Sequence, residues 1–325
     1  MMNYRPKMFE EAEKSKAPSK LSLQILIFIA VFFIIYLFES ISSSILIVPT
    51  LLAKMNQEGL FNLNSTASYS EIYHKVMNMS TDQKIMIPLL FCTVFGTILA
   101  IVYCRCIEKR SLNSMGIRKS NAFSHYIRGL FVGIALMSII VGITAVSGIT
   151  NISVVSDIKI GVIMLFFAGF LVQGMSEEII FRGYLMNSIG GKHSTITALI
   201  VSSLAFAFAH ILNPGLSILA FINLTIFAVF AGLYIICFDD IWGACAIHSI
   251  WNFTQGNVFG IRVSGSGSTD SILSTTASTS HAWLSGGDFG IEGSIITTIV
   301  LLAATIAMIM QIKRKSQNTF VVSEE

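Results

Sequence analysis

Charged side chains are scarce in this chain: Lys, Arg, Asp and Glu make up 12% of its 325 residues, against 54% hydrophobic. That balance excludes a soluble domain of ordinary composition, which has no core large enough to take up so much apolar surface. Cysteine is sparse too. Cys92, Cys104, Cys106, Cys237 and Cys245 lie within apolar segments or at their edges, so neither a disulfide framework nor a paired CxxC zinc site is visible, and they read as packing thiols. Cys104 and Cys106, at an expected cytoplasmic helix end, are candidate sites for an acyl chain. The net charge of +3 is small, and the basic residues sit at the ends of apolar runs instead of forming one patch, which argues against a nucleic-acid partner.

What the chain has in quantity is apolar sequence, with a mean hydropathy of +0.74. It comes in runs of roughly 17–25 residues, the length that crosses a hydrocarbon core about 30 Å thick with every backbone amide satisfied inside a helix. Spans are expected near 21–42, 85–105, 127–148, 159–185, 195–211, 216–237, 241–258 and 294–312. The expected fold is therefore all-α: a polytopic membrane bundle of about eight transmembrane helices around an intramembrane polar cavity, with membrane lipid as its solvent. Residues 1–20 form a cytoplasmic N-terminal segment, 21–150 the first three spans, 151–258 a core of spans four to seven, 259–293 a flexible outer loop rich in Ser, Gly and Thr, and 294–325 the last span and a basic tail.

The first run follows twenty polar residues and lacks a small-residue cleavage site, so it reads as a retained span. The connector holding Arg105, Lys109, Arg110, Arg118, Lys119 and Arg128 is strongly basic and is expected on the cytoplasmic side, which places both termini there as well. Lys313, Arg314 and Lys315 agree, and the connector from Gly260 to Gly293 carries one Arg and no Lys, as an outer loop should. The turn at Asp239 and Asp240 runs against this pattern, being acidic on the expected inner side.

Ionisable side chains within a span cost roughly 2.5–3.5 kcal/mol each, so a cluster of them marks a functional candidate. The fourth span carries Gln173-Gly-Met-Ser-Glu177-Glu178-Ile-Ile-Phe-Arg182-Gly-Tyr184. Neighbouring helical residues point about 100° apart, so Glu177 and Glu178 cannot share one role. Glu178 and Arg182, four apart, can neutralise each other as a supporting ion pair. Glu177 has no local cation, and a carboxylate in a partly dry cavity suits a general base acting on water. The fifth span ends in Phe206-Ala-Phe-Ala-His210, and the seventh holds His248-Ser-Ile-Trp-Asn252, whose terminal pair shares a helical face. If Gly190-Gly191-Lys192-His193 turns between antiparallel helices, Glu177 and His210 lie roughly 18 and 24 Å from it and can meet.

These residues resemble the CAAX prenyl endopeptidases and bacteriocin-processing enzymes, the Abi or CPBP family of intramembrane proteases. Its EExxxR matches Glu177 to Arg182, its FxxxH matches Phe206 to His210, and its HxxxN matches His248 to Asn252, in order and on separate helices. The resemblance implies hydrolysis of a peptide bond in a membrane-associated peptide or protein. By likeness, Glu177 and His210 activate water, while His248 and Asn252 stabilise the oxyanion. The expected mechanism uses no cofactor, but Glu177, His210 and His248 are also a possible zinc ligand set, although HExxH is lacking. Plentiful Lys, Ile, Asn and Ser and only five prolines suggest a bacterial cell membrane, where bacteriocin self-immunity or peptide maturation is the alternative within the family. From other classes come a proton-coupled transporter, with Glu177, His210 and His248 as a relay, and a non-catalytic scaffold.

Overall fold

The computed structural model describes residues 4–60, 68, 70–72, 75, 79, 82–267 and 270–322. The described chain is helical apart from one two-stranded sheet. Its main helices are α1 (Lys7–Glu13), α2 (Leu21–Gln57), α3 (Gln83–Ile107), α4 (Ala122–Val146), α5 (Ile160–Gly190), α6 (Thr195–Ala209), α7 (Ile218–Phe238), α8 (Trp242–Phe253) and α9 (Ile295–Val322).

Six of these, α2, α3, α4, α5, α7 and α9, are long and apolar enough to cross a membrane, and the protein is a multi-pass membrane protein. The segments expected as the fifth and seventh spans are shorter, with 15 residues in α6 and 12 in α8 before a five-residue π-helical turn, Thr254–Val258. Helix α8 is buried from Gly243 to Asn252, whereas α6 exposes Ile196, Ile200, Leu204 and Phe208 along one face from end to end. The first span is longer than expected, because the helix runs on through Pro49 to Gln57. It is also peripheral, with Leu26, Phe33 and Ile45 exposed to the apolar surroundings. By contrast, α7 is buried along most of its C-terminal half and packs on α6 and α9, while α8 lies along α4 and α5.

The crossing of α5 and α8 is close because position 174 has no side chain. A Cβ there would lie 2.5 Å from Ser249 Oγ and 2.6 Å from Ser249 N. On an isolated helix Gly→Ala is stabilising by roughly 0.5–1 kcal/mol, but here the partner atoms include backbone. Gly174→Ala is therefore expected to destabilise the protein by about 1–3 kcal/mol. A thermal midpoint in detergent equal to or above that of the wild type would show that the crossing is looser than described.

At one end of the bundle the N-terminal segment packs as a plug. Met8, Phe9 and Ala12 have no exposed surface, and the Phe9 ring rests on Gly190. The Met8 N–H donates to Asp239 Oδ1 at 3.0 Å, and Arg118 bridges Asp239 at 2.6 Å and Glu11 at 3.2 Å. Burial pushes the Asp239 carboxyl above its usual range, while the Met8 N–H and Arg118 pull it back. Asp240 pairs with His125. The acidic turn thus lies among basic partners, which removes its conflict with the charge pattern of this end.

At the other end Thr150–Val154 (β1) and Leu273–Ala277 (β2) pair antiparallel, Ile152 opposite Thr275. The sequence reading anticipates neither strand, although Thr, Ile and Val favour extended backbone. The Ser/Gly/Thr-rich stretch from 259 to 293 thus carries a strand and several short helical turns.

Candidate active site

The fourth expected span is regular from Ile160 to Glu178 and then widens into a π-helical stretch, Ile179–Met186. Such a change in hydrogen-bonding register frees carbonyls, and within a membrane that is tolerated only where the protein supplies partners. Arg110 does so: its guanidinium, 1% exposed, donates to Gly183 O at 2.6 Å and to Tyr184 O at 3.3 Å. Glu178 stands at the junction.

Glu178 and Arg182 are both fully buried, and Glu178 Oε1 accepts from Arg182 Nη1 at 2.9 Å. The same oxygen accepts from His248 Nδ1, also at 2.9 Å. Arg182 further donates to Ala228 O at 3.2 Å and lies 4.6 Å over the Phe206 ring, where the ring face attracts a cation. The ion pair read from sequence is therefore part of a chain from Arg182 through Glu178 to His248. With Nδ1–H committed to the carboxylate, His248 turns Nε2 toward Glu177.

Helix α6 ends at His210, whose Nδ1 lies 2.9 Å from Phe206 O. A carbonyl only accepts, so Nδ1 carries the proton and Nε2 of the neutral ring keeps its lone pair. The two imidazoles then converge on one atom: Glu177 Oε2 is 3.9 Å from His210 Nε2 and 3.7 Å from His248 Nε2. That oxygen is buried and has no hydrogen-bond partner among the described residues. The other, Oε1, accepts from Gln173 Nε2 at 2.5 Å, and Gln173 Oε1 in turn accepts from Asn252 Nδ2 at 2.9 Å. Glu177, His210, His248 and Asn252 all line one cavity of about 170 Å³, with Phe170, Leu224 and Phe227 among its apolar walls.

All four candidates from three helices thus meet at one place, Asn252 reaching Glu177 through Gln173. Gln173 is missed as a site residue in the sequence reading, although it stands one turn before Glu177 on the same face. Glu39 of α2 is missed as well: its carboxylate reaches Gly96 and the neighbourhood of Ser176. Its signal is an acidic residue inside the first apolar run. Glu292 has no local signal. It accepts from Trp251 Nε1 at 3.3 Å, Gln255 Nε2 at 3.1 Å, and Ser264 N and Oγ at 2.6 and 3.1 Å. Ser264, in the left-handed region at φ +48°, also accepts at its carbonyl from Asn213 Nδ2 at 2.9 Å. Three polar groups of Ser264 are therefore pinned beside the cavity, which Ser264, Asn213 and Glu292 also line.

Zinc held by Glu177, His210 and His248 would need donor atoms about 3.4 Å apart for tetrahedral bonds near 2.1 Å. The two nitrogen–oxygen separations are longer, and among the described residues no group of three or more His, Cys, Asp and Glu is arranged to hold a metal. As placed, the three side chains stand a few tenths of an ångström wider apart than ideal tetrahedral zinc bonds require.

Residues 159–254 match the family model described as Rce1-like, Type II CAAX prenyl endopeptidase. The match includes all three motifs and agrees with the resemblance read from them. It supports a protease of the membrane-embedded kind. Comparison with curated proteins and with solved structures gives no match.

Proposed function

Taking as premise a segment that matches a family of membrane proteases, we propose that this chain is an intramembrane endopeptidase. It hydrolyses a peptide bond in a membrane-associated peptide or protein within an eight-helix bundle, in which α6 and α8 complete the wall of a polar cavity. The observation that carries the reading is Glu177 Oε2, which has no hydrogen-bond partner among the described residues and is flanked by two imidazole nitrogens at 3.7 and 3.9 Å. Those gaps are too long for direct hydrogen bonds and suit a water that contacts the carboxylate and an imidazole together.

In this reading Glu177, steadied by Gln173, takes a proton from water whose other hydrogen faces His210 Nε2. The hydroxide oxygen bonds to the scissile carbonyl carbon, and the carbonyl π pair moves to oxygen. His248 as imidazolium presents Nε2–H to that oxyanion, and Asn252, whose second amide hydrogen is free of Gln173, supplies another donor. The tetrahedral centre collapses with cleavage of the carbon–nitrogen bond, and the proton held by Glu177 passes to the departing amine. Glu178 and Arg182 do not touch substrate; they fix the His248 ring. Maturation of a bacteriocin or another small peptide is the same chemistry on a different substrate.

None of these steps calls on a metal. Protein purified in detergent is therefore expected to cleave a quenched membrane-peptide substrate at an unchanged rate after exhaustive chelation, with metal content well below one ion per chain. Loss of activity on chelation, restored by zinc, would replace this mechanism with a metal-dependent one.

A further inference from the structure

The two ends of the bundle differ in charge and in access. Fifteen of the 21 Lys and Arg residues lie at the end that gathers α1, the connector between α3 and α4, the turn after α5 and the C-terminal basic residues. Contacts tie that end together: Lys192 donates to Glu13 O, Ser111 to Glu11, and Lys315 to Cys237 O. Lys54, Lys75, Lys84, Lys159 and Arg262 belong to the opposite end, and Arg182 lies between the two. By the positive-inside bias the basic end is cytoplasmic.

The catalytic cavity does not communicate with that end. Every residue from Glu178 to Gly191 is buried, and α1 packs over the end of this stretch, with Met8, Phe9 and Ala12 at zero exposure and Phe9 and Ala12 against Gly190 and Gly191. Glu177 and His210 nevertheless keep 22% and 14% side-chain exposure. The polar residues that line the cavity beyond them, Asn213, Ser264, Ser266 and Glu292, all come from connectors at the sparsely charged end. These connectors join directly to the β1–β2 sheet, through Asn257 to Ile272 and Ile272 to Val155.

We infer that the site opens to the non-cytoplasmic face, so that its substrate is a polypeptide presented from that side, such as an exported peptide or an outward-facing segment of a membrane protein, and not a cytosolic prenylated tail. This rests on the endopeptidase reading for what happens in the cavity, but the direction of opening stands on burial and charge alone. The segment around Ser264, held by Glu292 and Asn213, forms the mouth through which such a chain would enter.

The test uses the full-length protein in membrane vesicles prepared right-side-out and inside-out from the same bacterial host. A membrane-impermeant quenched peptide that detergent-solubilised protein cleaves should be cleaved at least tenfold faster by right-side-out vesicles, after subtraction of a Glu177→Gln control, and detergent should abolish the difference. Faster cleavage by inside-out vesicles would overturn the inference. A second measurement separates this from failure of the hydrolase reading. Ser266→Cys, exposed at the mouth, should react with an impermeant maleimide in right-side-out vesicles, whereas native Cys106, exposed at the basic end, should react only in inside-out vesicles. The reverse labelling sinks the sidedness whether or not the protein cleaves anything. The expected labelling without Glu177-dependent cleavage in detergent leaves the mouth where it is assigned and removes the protease.

Discussion

Exchange of Glu177 for Gln is expected to lower peptide cleavage by roughly 10²–10⁴-fold, the range that a positioned general base contributes, with little change in folding. The geometry explains why the two effects should separate. Oε1, which accepts from Gln173, can be kept as the amide oxygen of the new side chain. Oε2, which becomes an NH₂ group, has no hydrogen bond among the described residues to lose. The substitution therefore removes the capacity to take a proton from water while preserving shape and the Gln173 contact. Cleavage by purified variant and wild type, together with their thermal midpoints, decides the matter. Retained cleavage would exclude Glu177 as the base. A variant that mainly unfolds would make the polar cluster structural, and one that loses proton-dependent uptake while the wild type cleaves nothing would favour a relay in a transporter.

Arg182→Ala should act in the opposite way, through stability first. Glu178 and Arg182 are both completely buried, and Glu178 Oε1 accepts two hydrogen bonds of 2.9 Å, one from Arg182 Nη1 and one from His248 Nδ1. Removal of the guanidinium leaves a carboxylate in a low-dielectric interior without its cation, frees Ala228 O and empties the face of the Phe206 ring. Breaking a buried pair in this way costs about 3–5 kcal/mol, which should appear as a large drop in thermal midpoint in detergent. Activity is expected to fall as well, because His248 loses the fixed partner of its Nδ1. A wild-type-like melting temperature would mean that Glu178 is held by other means. Arg182→Lys offers a graded comparison: it restores charge but not the fork that reaches both Glu178 and Ala228, so partial recovery is expected.

The membrane class, the positions of most helices and the short list of Glu177, Glu178, Arg182, His210, His248 and Asn252 were readable from the chain alone. These features are local: apolar runs have a length set by the bilayer, and four-residue spacing places Glu178 with Arg182 and His248 with Asn252 on shared faces. The spacing on either side of the turn near Gly190 also allowed Glu177 and His210 to meet. What spacing could not supply was the neighbour that each group chooses from another helix. Besides Arg182, four residues away, Glu178 binds His248, 70 residues further along the chain. Gln173 links Glu177 to Asn252, and Glu292 fastens Ser264 beside the mouth.

The same division holds for the architecture. The 12-residue α8 and the pairing of β1 with β2 depend on contacts between distant segments, so hydropathy marks eight apolar runs where six helices among the described residues are long enough to cross, and it passes over the strands. The N-terminal twenty residues look like a solvated tail because their charges dominate the composition, yet Met8, Phe9 and Ala12 face one way and close the basic end. Composition and periodicity determined that this protein lives in a membrane and carries an acid, an amide and two imidazoles where charges are costly. Tertiary packing alone decided which atoms of those groups face one another and from which side the cavity can be reached, because a hydrogen-bond partner and an opening are properties of neighbouring helices and cannot be encoded in any one of them.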